Sequence, residues 1–91
     1  MEIKRTVKIV NDQGLHARPC HAIVSAAQAF RSELCFRSGE REVNGKSIID
    51  LMTLGAGFGT ELEVCAKGAD ASELIESIST LFSEGFGEVP S

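Results

Sequence analysis

Each strand-like segment of this chain can bury only one of its two faces. In residues 3–9, Ile3, Arg5, Val7 and Ile9 alternate with Lys4, Thr6 and Lys8. Leu34 and Phe36 alternate with Glu33, Cys35 and Arg37, and Leu62, Val64 and Ala66 alternate with Glu61, Glu63, Cys65 and Lys67. A period of two puts the apolar residues on one side of a pleated strand and the polar ones on the other. Strands of this kind belong in a sheet covered on one side and wet on the other, which antiparallel sheets allow and all-parallel sheets do not. A further short strand is expected near Arg41–Val43, after the turn Ser38-Gly39-Glu40.

Helical segments supply the cover. From Ala17 to about Phe30, the residues Ile23, Ala26, Ala27 and Phe30 form a helical stripe. Ser47 is placed to N-cap a short helix running to about Thr53 and ended by Gly55 and Gly57. Asp70-Ala71-Ser72-Glu73 has the spacing of a capping box, so Asp70 and Glu73 read as capping residues. The helix they open would bury Leu74, Ile75, Ile78, Leu81 and Phe82 and stop at Gly85. The element order is βαββαβα. The expected fold class is α+β, an open-faced sandwich with a four-stranded antiparallel sheet and three helices on one face. Its length of 91 residues suits a single domain over 1–91. The core is expected in about 3–84, with a frayed tail over 85–91 where Gly85, Gly87 and Pro90 fall.

Composition narrows the function classes. A net charge of −4 without a basic cluster argues against general nucleic-acid binding. The absence of Trp and Tyr leaves no platform for stacking bases. No apolar run approaches the roughly 18 residues that membrane insertion requires. The start Met1-Glu2-Ile3-Lys4-Arg5 does not look like a signal peptide, so a cytoplasmic protein is expected. Three cysteines, Cys20, Cys35 and Cys65, with no CxxC spacing fit reduced thiols.

The segment Gly14-Leu15-His16-Ala17-Arg18-Pro19 sets a histidine at the mouth of the first helix and an arginine two residues on. Unpaired N–H groups and the positive end of the helix dipole make a helix mouth receptive to anions. Imidazole near pH 7 can act as a neutral nucleophile. A phosphoryl group on His16 would meet backbone donors and the planar fork of Arg18. Pro19 gives up only a donor that would have had no partner. These residues lead to the expectation of reversible phosphorylation at His16.

Three blocks together give a resemblance: Gly14-Leu15-His16-Ala17-Arg18-Pro19, Asn44-Gly45-Lys46-Ser47-Ile48-Ile49, and Leu54-Gly55-Ala56-Gly57 followed by Gly59-Thr60. In this spacing and element order the chain resembles the HPr phosphocarriers of the bacterial phosphoenolpyruvate-dependent sugar phosphotransferase system, over about residues 3–84. The resemblance implies a carrier within a relay rather than a stand-alone enzyme. His16 would accept the phosphoryl group from enzyme I and pass it to an enzyme IIA, with Arg18 contacting the phosphate. Ser47 would be the site of an HPr serine kinase. Ile48, Ile49 and Met52 would dock partners, with Phe58 either a further exposed contact or a plug folded onto the core. No cofactor or metal is implied, and a monomer is expected.

Some positions depart from the family pattern. Cys20 and His21 stand where small residues are usual, which raises a second reading of His16, Cys20 and His21 as a metal or redox site. Cys20 is otherwise expected as a small buried hydrophobe. Cys35 and Cys65 are expected on the water-facing side of neighbouring strands. Ser25 and Gln28 replace basic residues of the first helix, and Asp50 lies beside the docking residues. Such charge changes act chiefly on partner choice. A regulatory module, in the nitrogen-related phosphotransferase branch or as a pure binding switch, is therefore the alternative.

Overall fold

The computed structural model describes residues 1–88. The chain runs β1 (Glu2–Lys8), α1 (Ala17–Ala27), β2 (Glu33–Ser38), β3 (Arg41–Asn44), α2 (Ile48–Met52), β4 (Glu61–Lys67) and α3 (Ala71–Ser83), then a 3-10 turn at Gly85–Gly87. The strands form one antiparallel sheet in the order β1-β4-β2-β3. The helices cover one face, and the expected open-faced α+β sandwich is what forms.

The alternation seen in the sequence becomes this sidedness. Val7, Leu34, Phe36, Leu62, Val64 and Ala66 point into the core, where Ile23, Ala27, Leu51, Leu74, Ile75, Ile78 and Phe82 meet them from the helices. Ile9 is fully buried just beyond β1; its N–H donates to Thr60 O at 2.9 Å and its carbonyl accepts from Gly59 N at 2.8 Å. Opposite charges face one another across the ladders in the pairs Lys8–Glu61, Glu33–Lys67 and Arg37–Glu63. Within β1, Arg5 is the polar residue on the helical side. It reaches α3, where Nη2 lies 2.7 Å from Glu76 Oε1.

Three local expectations need correction. The first helix ends at Ala27 rather than near Phe30. Its last turn tightens, with Ala29 N donating to Ala26 O and Phe30 N to Ala27 O, and Lys46 Nζ takes the Phe30 carbonyl at 2.8 Å. Asp70 occupies the N-cap position of α3 but makes no side-chain cap. Its carboxylate instead accepts from Arg31 N at 2.9 Å, from Ser32 N at 2.8 Å and from the Ser32 hydroxyl. These bonds tie the α1–β2 connection to the start of α3, and they win because they bring three donors where the helix offers one. They hold the Asp70 carboxyl down at about 2.

The third correction concerns the tail. Residues 85–88 are not frayed: Phe86 packs edge-on against Phe82 with ring centroids 4.9 Å apart, and Phe82 in turn lies 5.8 Å from Phe36. Aromatic pairs at these separations add to what burial alone provides. Pro90 and the rest of the expected tail, 89–91, lie outside the described residues.

Candidate functional site

The loop before α1 is held from two sides. Gly14 has φ +68°, and a Cβ there would lie 2.5 Å from Ala56 O, so only glycine fits. The next residue, Leu15, is buried and donates its N–H to Ala56 O at 2.9 Å. This bond ties the loop carrying His16 to the Leu54–Gly57 stretch, which is why those two sequence blocks belong together. His16 is then the N-cap of α1, with φ −86° and ψ −172° and no side-chain cap of its own. Its carbonyl accepts from Cys20 N at 3.2 Å. The amides of Ala17 and Arg18 open the helix with no carbonyl one turn back to bond.

The His16 side chain is about one-third exposed, at 33%. Its Nε2 lies 2.7 Å from Glu88 Oε2. The other Glu88 oxygen, Oε1, accepts from Asn11 Nδ2 at 2.9 Å, and the same Nδ2 donates to Gly14 O at 2.8 Å. Asn11 is buried, and its Oδ1 has no hydrogen-bond partner among the described residues. Neither Asn11 nor Glu88 stood out in the sequence. Asn11 reads as a turn residue, and Glu88 comes from 72 positions along the chain; local pattern carries no signal for such a contact.

Arg18 is exposed in the first turn of α1, and among the described residues it makes no ion pair. Pro19 is buried beneath it. Ser47 is the N-cap of α2: its Oγ accepts from Asp50 N at 3.2 Å. On this short helix Leu51 is fully buried and Ile48 half-buried, while Ile49 and Met52 are 76% and 46% exposed. Phe58 is 65% exposed, so it is a surface aromatic and not a plug. Val10, which leads into the His16 loop, adds a further exposed apolar side chain. Backbone bonds tie the segment carrying Phe58 to this part of the chain, through Leu15 N to Ala56 O and Gly59 N to Ile9 O.

The residues of the metal reading are not brought together. Cys20 is fully buried, with Sγ turned toward Leu15 O at 3.6 Å, whereas His21 is exposed. Burial pushes the Cys20 thiol upward, away from the thiolate a metal needs. Among the described residues no group of three or more His, Cys, Asp or Glu side chains converges to hold a metal ion. Cys35 and Cys65 face one another directly across β2 and β4, half-buried on the open face of the sheet. Burial, and then the hydrogen bond Cys65 Sγ donates to Glu2 Oε2 at 3.1 Å, push Cys65 up to about 12. No helix of the described residues is long and apolar enough to cross a membrane.

Comparison with known proteins places the fold and the sequence in one family. Residues 3–84 match the family described as the PTS HPr component phosphorylation site. The phosphocarrier protein HPr of Neisseria meningitidis is 38% identical over 86 residues, covering 94% of this chain and 97% of that protein. The phosphocarrier protein NPr of Escherichia coli is 36% identical over 89 residues, covering 97% of this chain and 99% of that protein. The crystal structure of HPr from Thermoanaerobacter tengcongensis superposes with a TM-score of 0.91 at 36% identity, over 96% of this chain and 98% of that one. By fold, by sequence over nearly its whole length and by the match across the His16 segment, the chain belongs to the HPr phosphocarrier family of the phosphotransferase system.

Proposed function

We propose that His16 is the residue on which this HPr-family phosphocarrier takes a phosphoryl group from enzyme I and from which it hands the group to an enzyme IIA. The observation that carries this reading is the part-exposed His16 ring at the open end of α1, with the exposed Arg18, which holds no ion pair among the described residues, in the same turn. Phosphoryl transfer asks a protein mainly for positioning and charge neutralisation. An imidazole nitrogen supplies the nucleophile, while the helix-mouth amides and the Arg18 fork take the phosphoryl oxygens. Ile48, Ile49, Met52 and Phe58 form the docking surface for both partners, so donor and acceptor use it in turn. Ser47 is the regulatory position. A phosphate there would add about −2 charge beside Ile49, Met52 and Asp50 without a change of shape.

The nitrogen-related branch is a second reading. Ser25 and Gln28 on α1 and Asp50 on α2 leave the surface near the site short of basic charge, and the NPr protein is among the relatives. One experiment addresses carrier and branch together. The protein and His16→Ala are incubated with phosphoenolpyruvate and, separately, with the sugar-branch and nitrogen-branch enzyme I, and intact masses are recorded. A gain of one phosphoryl mass that is acid-labile and absent from His16→Ala is the expected result, and the faster donor identifies the branch. No gain with either active donor would overturn the carrier reading at His16.

A further inference from the structure

The open face of the sheet carries a row of residues that the carrier chemistry does not use. Lys4 on β1 stands opposite Cys65 on β4, Cys65 opposite Cys35 on β2, and Cys35 opposite Asn44 on β3. The two thiols thus meet on the inner strands of the sheet, on the face away from the helices. Both are half-buried and free, and they line an open depression of about 600 Å3. Lys4, Lys67, Glu2 and Glu42 line it with them.

Register decides what this pair can do. Leu34 turns its carbonyl toward β3, where it accepts from Gly45 N at 2.8 Å. Backbone polar groups alternate sides along a strand, so Cys35 turns its own toward β4, and Cys35 with Cys65 is a hydrogen-bonded pair. Such pairs have the wider spacing, with Cβ atoms about 5.5 Å apart. An unstrained disulfide needs Cβ atoms roughly 3.5–4.5 Å apart, so a bond between the sulfurs would have to draw the strands together. An ion between them fits better. Two metal–thiolate bonds of about 2.3 Å set their sulfurs roughly 4.6 Å apart, just inside that Cβ spacing. Among the described residues no group of three or more His, Cys, Asp or Glu is arranged for a metal ion, so the ion is one content with two thiolates. Soft sulfur ligands select copper(I).

We propose that Cys35 and Cys65 form a binding site for a soft monovalent metal ion, copper(I), held between their two thiolates on the open face of the sheet. As the ion enters, both S–H bonds break and two sulfur–copper bonds form. The two protons leave to solvent, and no electron is transferred. Cys65 already donates its hydrogen to Glu2 Oε2 at 3.1 Å, so that carboxylate is placed to take the proton away. The bound unit, one positive ion between two thiolates, carries a single negative charge, and Lys4 faces it from the neighbouring strand. Burial is the largest cause raising both thiols, Cys65 to about 12. Oxidants that need a thiolate are thereby kept from the pair, and an ion enters only if its bond to sulfur is strong enough to expel the protons. Cys20 offers nothing comparable, being fully buried on α1 on the other side of the sheet.

The test is a titration of the reduced, full-length protein with copper(I), without oxygen, against a chromophoric copper(I) chelator. Cys35→Ser and Cys65→Ser are titrated beside the wild type. Each removes one ligand from a half-buried position on the open face, and circular dichroism checks that the fold is kept. Expected for the wild type is a single ion per chain, with two sulfur ligands in X-ray absorption. Each serine variant should lose affinity by more than the roughly 100-fold that removal of an outer partner costs a metal site. No binding by the wild type, or wild-type affinity in either serine variant, would overturn the site. So would copper bridging two chains in native mass spectra. Ready conversion of the wild type by oxidised glutathione to an intramolecular Cys35–Cys65 disulfide would overturn it as well, because the sulfurs would then reach bonding distance unaided.

Discussion

Histidine, arginine and serine are each ordinary at a helix start, and their positions here do not by themselves distinguish a relay site from a capped end. What separates them is the company each keeps in three dimensions. The Ser47 hydroxyl is engaged with the Asp50 amide, and His16 with Glu88, whereas Arg18 is exposed and holds no ion pair among the described residues. An arginine with no structural duty can be removed without loss of fold, which makes it a clean probe. Arg18→Ala is expected to leave the urea midpoint unchanged and to slow phosphorylation by enzyme I about 10- to 100-fold, the worth of one or two charge-assisted hydrogen bonds. Arg18→Lys should fall between, because an ammonium offers charge without the planar fork. Stopped reaction time courses read by intact mass would check this, and an unchanged rate for Arg18→Ala would remove Arg18 from the site.

At the scale of the element, α2 shows how one short helix serves two purposes. Leu51 is spent on the core, which leaves Ile49 and Met52 exposed on a helix of five residues. Such a helix depends on its cap, and Ser47 provides it. The cap and the regulatory reading of Ser47 make different demands, and substitution separates them. Ser47→Ala should cost about 1 kcal/mol of stability through the lost cap. Ser47→Asp should restore the stability, since aspartate caps as well as serine, yet weaken enzyme I binding by adding charge beside the apolar residues. Denaturation and titration calorimetry on both variants would check the pair; equal affinity of Ser47→Asp and wild type for enzyme I would discard regulation by repulsion.

In the whole molecule, stability and site share the same connections. Asp70 joins the end of α1 to the start of α3 through Ser32 and the Arg31 amide, and these bonds hold its carboxyl at about 2, below the ordinary 3.8. Folding therefore favours the ionised form. The contribution is complete above the unfolded value and fades as pH falls from about 4 to about 2. Asp70→Asn should accordingly be less stable than wild type near neutrality, with the gap closing over that acid range as the wild-type carboxyl gains its proton. Urea titrations at a series of pH values would show it, and a gap independent of pH would refute the assignment.

The sheet, its buried face and the helices could be read from the sequence because each depends on neighbours within one period of the chain. Alternation at two residues decides which side of a strand is wet, and the stripe of α1 decides which side of that helix is dry. The His16 block, the Ser47 cap and the exposed Ile49 and Met52 come from equally local rules. Asp70 and Glu88 were not legible in this way. The partners of Asp70 lie 38 and 39 positions away and that of Glu88 lies 72 away, and only the closed fold brings them within hydrogen-bonding distance. Local pattern made Asp70 a helix cap and the Glu88 segment a frayed end. Tertiary structure made one a clasp between elements and the other the carboxylate on the histidine, because a charged group with several donors in reach goes to the site that satisfies most of its acceptor positions, wherever along the chain those donors originate.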